Sequence, residues 1–225
     1  MNPLRRFYAS SIGKKIVVAV TGGLLVLFLV GHMLGNLLAF EGRGGTPETT
    51  KLNEYAELLR VEPALLWALR LVLLTAAVLH ILTTIKLTLD NRAAKGSRYA
   101  VTRRRSATLA SRTMIYGGLL LAAFIVYHIL HFTTGSVHRG LFEHGMVYDN
   151  VVRSFRNPLI VGAYLLAQAF LFLHLTHGIA SLAETLGVRH PRYLALFRRG
   201  GPILALVFLV GFTSVPVAVL LGVIR

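Results

Sequence analysis

Five long apolar runs constrain what this 225-residue sequence can fold into. They cover residues 16–40, 64–89, 113–134, 158–186 and 203–224. A helix needs roughly 20 apolar residues to cross the hydrocarbon core of a bilayer. Because lipid offers no hydrogen bonds, such a run must satisfy its backbone groups internally, as a helix does. The sequence therefore predicts an all-α integral membrane protein, a single membrane domain over residues 1–225 with five transmembrane helices.

Basic residues are divided unequally among the segments that join these runs. The N-terminal segment and the loops after the second and fourth runs, counted from Lys86 and from Glu184, hold 16 of the 24 Lys and Arg residues, and only two acids, Asp90 and Glu184. The remaining segments hold eight basic residues and seven acids. Loops rich in Lys and Arg stay in the cytoplasm. The pattern predicts a multi-pass protein of the cytoplasmic membrane, with its N-terminus in the cytoplasm and its C-terminus outside.

The two outer loops each contain a short stretch with helical periodicity. One apolar face in each stretch is formed by Leu52, Tyr55, Leu58 and Leu59 of residues 50–62, and by Val151, Val152 and Phe155 of residues 147–156. Both stretches are typical of amphipathic helices lying on a membrane surface. They are predicted to cap the loops or to form part of a substrate site, and the sequence leaves both roles open.

Charge and cysteine content exclude several kinds of function. The net charge of +15 would suggest nucleic acid as a partner for a soluble chain, but here basic residues alternate with apolar runs and no basic groove with interleaved aromatics is present. Nucleic acid is therefore not predicted as a partner. The sequence has no cysteine, which excludes disulfides, iron–sulfur clusters, thiolate metal sites and covalently attached c-type haem. A redox group held by this chain needs histidine or methionine.

Each of the first four runs contains a histidine at a matching position: His32, His80, His128 and His174. An ionisable residue inside a bilayer is costly and is a functional candidate by default. Each lies about 16 residues after the start of its run, which is roughly 24 Å along a helix. Because successive spans run in opposite directions, His32 and His128 fall near the outer surface. His80 and His174 fall near the cytoplasm.

Two imidazoles on facing helices at one depth are what a six-coordinate b-type haem requires. A single intramembrane histidine more often makes a helix–helix hydrogen bond or a proton relay, but four of them, matched in depth, favour haem. The sequence predicts an antiparallel bundle of the first four helices that holds two haem b groups, in layers roughly 15 Å apart within a core of about 30 Å. The histidines would be the axial ligands of the haem iron.

Two further histidines complicate this assignment. His131 and His177 each follow a proposed ligand by three residues and share its helix face. Either could replace its neighbour as the ligand. Depth slightly favours His128 and His174, because His131 and His177 fall nearer the membrane surfaces, where they could bond haem propionates, water or quinone. Three others, His138, His144 and His190, lie in loops and are interpreted as solvated.

Glycines accompany the histidines along the same spans. Gly31 and Gly35 flank His32, Gly22 and Gly23 come about two turns earlier, and Gly117 and Gly118 precede His128. Small residues would let a flat macrocycle lie between helices, and they also let helices pack closely without any ligand. The glycines alone therefore do not decide between these readings.

The segments around the four histidines carry a resemblance to a known family. They are SSIGKKIVVAVTGG with GHMLGN, VLHILTTIKLTLDNR, YGGLLLAAFIVYHILHF and FLHLTHGIASLAETLGVRHPRY. With them the chain resembles, over nearly its whole length, the single-chain, five-helix, two-haem cytochrome b subunit of succinate:quinone oxidoreductases. The family's ligand positions match His32, His80, His128 and His174, and this match puts His131 and His177 in second place.

The resemblance implies partners and a direction of electron flow. It implies that His80 and His174 hold the haem near cytoplasmic flavoprotein and iron–sulfur subunits, that His32 and His128 hold the outer haem, and that menaquinone is the quinone. The basic face would then dock the iron–sulfur subunit and attract anionic membrane lipid. Some fumarate-reducing relatives carry a membrane glutamate two residues before the fourth ligand. Phe172 stands there in this chain, which favours succinate oxidation.

The expected function is therefore a membrane anchor that passes electrons from succinate oxidation on partner subunits to quinone. Protons at the outer site could be handled by Glu54, Tyr55 and Glu57, although surface acids usually face water. One alternative is the di-haem subunit of another quinone-linked enzyme, such as a fumarate reductase, formate dehydrogenase or nitrate reductase. Another is a transporter that uses the histidines for protons or metal ions. Transporter helices are often broken at mid-membrane, and Pro216 is the only proline predicted inside a span.

Overall fold

The computed structural model describes residues 2–42, 50–94, 109–188 and 190–225. Within these ranges the chain forms helices and connecting turns, without a strand. Part of the charge on which the predicted topology rests lies outside the described residues, namely Arg43, Glu48, Lys95, Arg98, Arg103, Arg104, Arg105 and Arg189.

Five helices are long and apolar enough to cross a membrane. They are α2 (Ser11–Leu37), α4 (Pro63–Ala93), α5 (Leu109–Phe132), α7 (Pro158–Thr185) and α8 (Pro191–Leu220). Three shorter helices are α1 (Pro3–Ala9), α3 (Lys51–Leu58) and α6 (Val147–Phe155). Short 3-10 turns follow α2 at Leu38–Glu41 and precede α6 at Arg139–Leu141. The predicted all-α fold with five membrane-spanning helices is confirmed.

Prolines begin three of the long helices. Pro63 and Pro158 occupy the first turns of α4 and α7, where a missing N–H costs nothing. The fifth run is predicted to begin at residue 203, but α8 starts at Pro191 and contains both Pro202 and Pro216. The arginines at positions 192, 198 and 199 keep residues 191–201 out of the apolar run. Leucine, alanine and arginine in this stretch still favour a helix, which starts about three turns earlier.

The long helices pack as a ring of four with a fifth outside it. Helix α2 packs against α4 and α7, and α5 packs against the same two helices. Helices α2 and α5 therefore lie at opposite corners of the ring, as do α4 and α7. Helix α8 packs against α2 and most extensively against α7. The four helices that carry the predicted ligands thus form the bundle.

One end of the bundle, here called the capped end, is closed by α3 and α6. Tyr148, Val152 and Phe155 of α6 are buried in a cluster with residues from α3, α7 and α8. The backbone N–H of Tyr148 donates to Asn53 Oδ1 at 2.9 Å, and its hydroxyl donates to the carbonyl of Arg225 at 3.1 Å. The two short helices that the sequence predicts are present. The apolar face of α6 packs inward on the bundle, not on a membrane surface.

The opposite end, here called the basic end, contains α1 and a buried ion pair. Lys14 at the start of α2 is 6% exposed and donates to Asp90 near the end of α4. Asp90 also pairs with Lys86 at 2.9 Å, one turn earlier on its own helix. The hydroxyl groups of Tyr8 and Thr83 are 3.1 Å apart and link α1 to α4. These contacts fix the position of α2 along α4, between His80 and the basic end.

Candidate functional site

The four span histidines form two pairs, and each pair bridges a diagonal of the helix ring. The ring centroids of His32 on α2 and His128 on α5 are 5.7 Å apart, with planes inclined by 82°. Those of His80 on α4 and His174 on α7 are 6.3 Å apart, inclined by 60°. The first pair lies toward the capped end and the second toward the basic end. These are the partners that helix direction and depth predict.

The spacing of both pairs fits two ligands on one metal. Imidazole nitrogens bind metals at about 2 Å, so axial ligands on opposite sides of an iron have ring centroids about 6 Å apart. In the part of the chain that the structure describes, no hydrogen bond joins the two rings of either pair. Because each ring plane can rotate about the iron–nitrogen axis, inclinations of 60° and 82° are compatible with this geometry. The distance between the two rings of each pair therefore fits the two protein ligands of a b-type haem.

His80 is oriented by groups on α2. Its Nδ1 lies 3.1 Å from the carbonyl of Val18 and 3.2 Å from Thr21 Oγ1. Since a carbonyl only accepts, Nδ1 carries the proton, and Nε2 of the neutral ring keeps the lone pair that a metal needs. Thr21 could not be singled out from the sequence, because a threonine in a span usually bonds its own helix. Thr21 does that too, donating to the carbonyl of Val17 at 2.6 Å.

His174 lies opposite with a buried ring nitrogen that lacks a partner. Its Nδ1 is buried and has no hydrogen bond with the part of the chain that the structure describes. Leaving a buried polar group unpaired costs about 1–3 kcal/mol. A narrow cleft with no room for a water molecule lies beside the ring, between α5 and α7. A Cβ added at Gly118 would lie 3.7 Å from His174 Cε1, which is an ordinary van der Waals contact.

The capped-end pair is held by aromatic rings and by Tyr164. His32 stacks on Phe28, one turn earlier, at 5.2 Å between centroids, and Phe212 of α8 lies 5.8 Å away. His128 Nδ1 is 3.3 Å from the Tyr164 hydroxyl. Helix α8, the last of the five long helices, thus contributes Phe212 to the site although it carries none of the four histidines. Neither Phe212 nor Tyr164 was identified from the sequence.

The second-choice histidines differ in their surroundings. His131 is 2% exposed and both of its nitrogens bond protein groups, Nδ1 with the Tyr164 hydroxyl at 3.0 Å and Nε2 with Ser154 Oγ at 2.9 Å. In this arrangement neither nitrogen of His131 is free for a metal. His177 is half-buried on α7, one turn beyond His174 toward the basic end. The geometry thus favours His128 over His131.

The remaining histidines lie on the surface, as expected. His138, His144 and His190 are exposed, and His138 Nε2 lies 3.1 Å from the Tyr127 hydroxyl. Among the described residues, no group of three or more His, Cys, Asp or Glu side chains comes together as the ligands of a metal ion.

Comparison with protein-family models, with curated proteins and with solved structures gives no match. Function is therefore inferred from the geometry and from the sequence.

Proposed function

We propose that this chain is the cytochrome b membrane subunit of a succinate:quinone oxidoreductase and holds two b-type haems. The observation that carries the proposal is that two histidine rings meet across each diagonal of one helix ring, with their centroids about 6 Å apart within each pair. A haem needs only two protein ligands because the porphyrin supplies four nitrogens. When bound, its iron supplies reversible one-electron chemistry. The resemblance of the sequence segments gives the enzyme class.

Each part of the chain has a role in this proposal. His80 and His174 provide the site toward the basic end, and His32 and His128 provide the site toward the capped end. The basic end faces the cytoplasm, where exposed side chains including Arg5, Arg6, Lys15 and Arg92 would dock an iron–sulfur subunit that is joined to a flavoprotein. The C-terminus lies outside, and menaquinone in the membrane is the electron acceptor.

A reduced-minus-oxidised difference spectrum with haem quantitation on the purified chain tests the proposal. We expect b-type spectra and two haems per chain. A colourless protein would contradict the proposal and favour a transporter. Coloured protein that copurifies with formate- or nitrate-linked subunits, instead of a flavoprotein with succinate dehydrogenase activity, would assign the chain to the other class of quinone-linked enzyme.

Gly22 provides a steric test of the basic-end site. A Cβ at Gly22 would lie 3.0 Å from His80 Cε1, whereas a Cβ at Gly162 on α7 would have no atom within 4 Å. We expect Gly22→Leu to displace the His80 ring and lower the haem content from two to about one per chain. Gly162→Leu makes the same change within a long helix, and we expect it to retain both haems. Full haem content in Gly22→Leu would show that the His80 ring does not lie where a ligand must.

A further inference from the structure

A chain of hydrogen bonds leads from His128 to helix α6. The Tyr164 hydroxyl lies 3.3 Å from His128 Nδ1 and 3.0 Å from His131 Nδ1. On its other side, His131 Nε2 lies 2.9 Å from Ser154 Oγ. The chain joins α5, α7 and α6, and it is closed from the surroundings, because Tyr164, His131 and Ser154 are 5%, 2% and 1% exposed.

The chemistry of these groups determines which one donates and which one accepts in each of these hydrogen bonds. A neutral His128 that binds iron through Nε2 carries its proton on Nδ1, so Nδ1–H donates to the Tyr164 oxygen. The single hydroxyl proton of Tyr164 is then left to donate to His131 Nδ1. His131 therefore carries its own proton on Nε2 and donates it to Ser154. Each group in the chain has one compatible role, and none competes with the iron for His128 Nε2.

We propose that Tyr164 is a positioning residue for the His32/His128 haem, and that His131 and Ser154 hold its hydroxyl in the accepting orientation. This inference rests on the proposed function and extends it to residues that tune one site. A hydrogen bond accepted from Nδ1–H orients the ring and makes Nε2 a stronger electron donor. A stronger donor stabilises the oxidised iron more than the reduced iron. Tyr164 thereby lowers the midpoint potential of this haem.

The two sites differ in how this bond is made. His80 has the backbone carbonyl of Val18 as its Nδ1 partner, which no side-chain substitution removes. His128 Nδ1 instead lies beside a side-chain hydroxyl, so a substitution at Tyr164 removes this bond. The Tyr164 ring also packs edge-on against Phe124 and Phe155, with centroids 4.9 Å and 5.0 Å away. Tyr164→Phe therefore removes the hydroxyl and retains the ring packing.

The experiment is a redox titration with electron paramagnetic resonance of the oxidised haems, on full chain purified from membranes. In Tyr164→Phe we expect a raised midpoint potential and shifted g-values for the His32/His128 haem only, with the other haem unchanged. Tyr127→Phe is the matched control. The Tyr127 hydroxyl bonds the exposed His138, which takes no part in the hydrogen bonds from His128 to Ser154, so we expect neither haem's potential or g-values to move. A purely structural role for Tyr164 would lower stability without moving one haem selectively.

A second variant keeps the inference testable if Tyr164→Phe does not fold. Ser154→Ala removes the hydroxyl at the α6 end of this series of hydrogen bonds. We expect a smaller shift in the midpoint potential of the same haem, in the same direction. Unchanged potentials and g-values in a folded Tyr164→Phe protein, or in Ser154→Ala if that is the variant that folds, would overturn the inference while the two-haem assignment stands. Absence of haem from the unmodified protein would instead overturn the proposed function.

Discussion

Alanine in place of His80 or His174 is expected to remove one of two b-type haems, and alanine in place of His32 or His128 to remove the other. In the proposed function each haem would depend on two imidazoles on diagonal helices, so losing either one would leave the haem weakly held. We expect haem content to fall from two to about one per chain in each single variant. The measurement is haem quantitation, with the remaining haem identified by its low-temperature absorption band.

Double variants test the pairing itself. Because His80 and His174 would share one haem in the proposed function, His80→Ala combined with His174→Ala is expected to lose no more haem than either alone. Combining His80→Ala with His128→Ala affects both layers and is expected to leave a colourless chain. Such non-additivity within a pair and additivity between pairs is what shared and separate sites produce. If the combination of His80→Ala and His128→Ala retains a haem, the assignment of these residues to different layers is wrong.

Neighbouring histidines serve as matched controls for these variants. His177 lies three residues after His174 on the same helix, and His190 is exposed at the start of α8. Both replacements with alanine are expected to retain two haems. Loss of haem in His177→Ala with retention in His174→Ala would exchange their roles, an alternative that the sequence leaves open.

Helix number and histidine pairing could be predicted from the sequence because both follow from one-dimensional rules. Apolar run length identifies a span, and a constant rise per residue with alternating direction gives the depth of each histidine. Depth and direction then decide that His32 meets His128 and that His80 meets His174. The start of α8 escaped prediction because three arginines within residues 191–201 interrupt the apolar run, although these residues lie in the same helix.

The groups around the histidines could not be predicted in the same way. Whether Tyr164 reaches His128, or Thr21 reaches His80, depends on how each helix is rotated and on the direction of individual side chains. Polar residues such as these recur in spans for reasons of local bonding, so their presence alone carries little information. The same holds for Lys14, which served only as a topology signal in the sequence but is buried against Asp90.

This ion pair gives the largest expected effect on stability. Lys14 has a side chain only 7% exposed, and Asp90, whose side chain is 35% exposed, accepts a hydrogen bond from it across the α2–α4 contact. Removing Asp90 leaves the buried Lys14 charge without compensation, which is destabilising. We expect Asp90→Leu to lower the thermal unfolding temperature of the purified protein in detergent by about 5 °C. The measurement is a thermal melt that follows helix content.

Two companion variants separate the loss of the pair from the loss of a surface charge. Lys86 also bonds Asp90, but its side chain is 60% exposed. Exposed pairs contribute little, so Lys86→Ala is expected to shift the unfolding temperature by no more than about 1–2 °C. Adding Lys14→Met to Asp90→Leu removes the stranded ammonium and is expected to restore most of the lost stability, because an apolar pair can replace a buried ion pair. If the unfolding temperature of the double variant is no higher than that of Asp90→Leu alone, the destabilisation does not come from the uncompensated Lys14 charge, and the α2–α4 contact is held by packing alone.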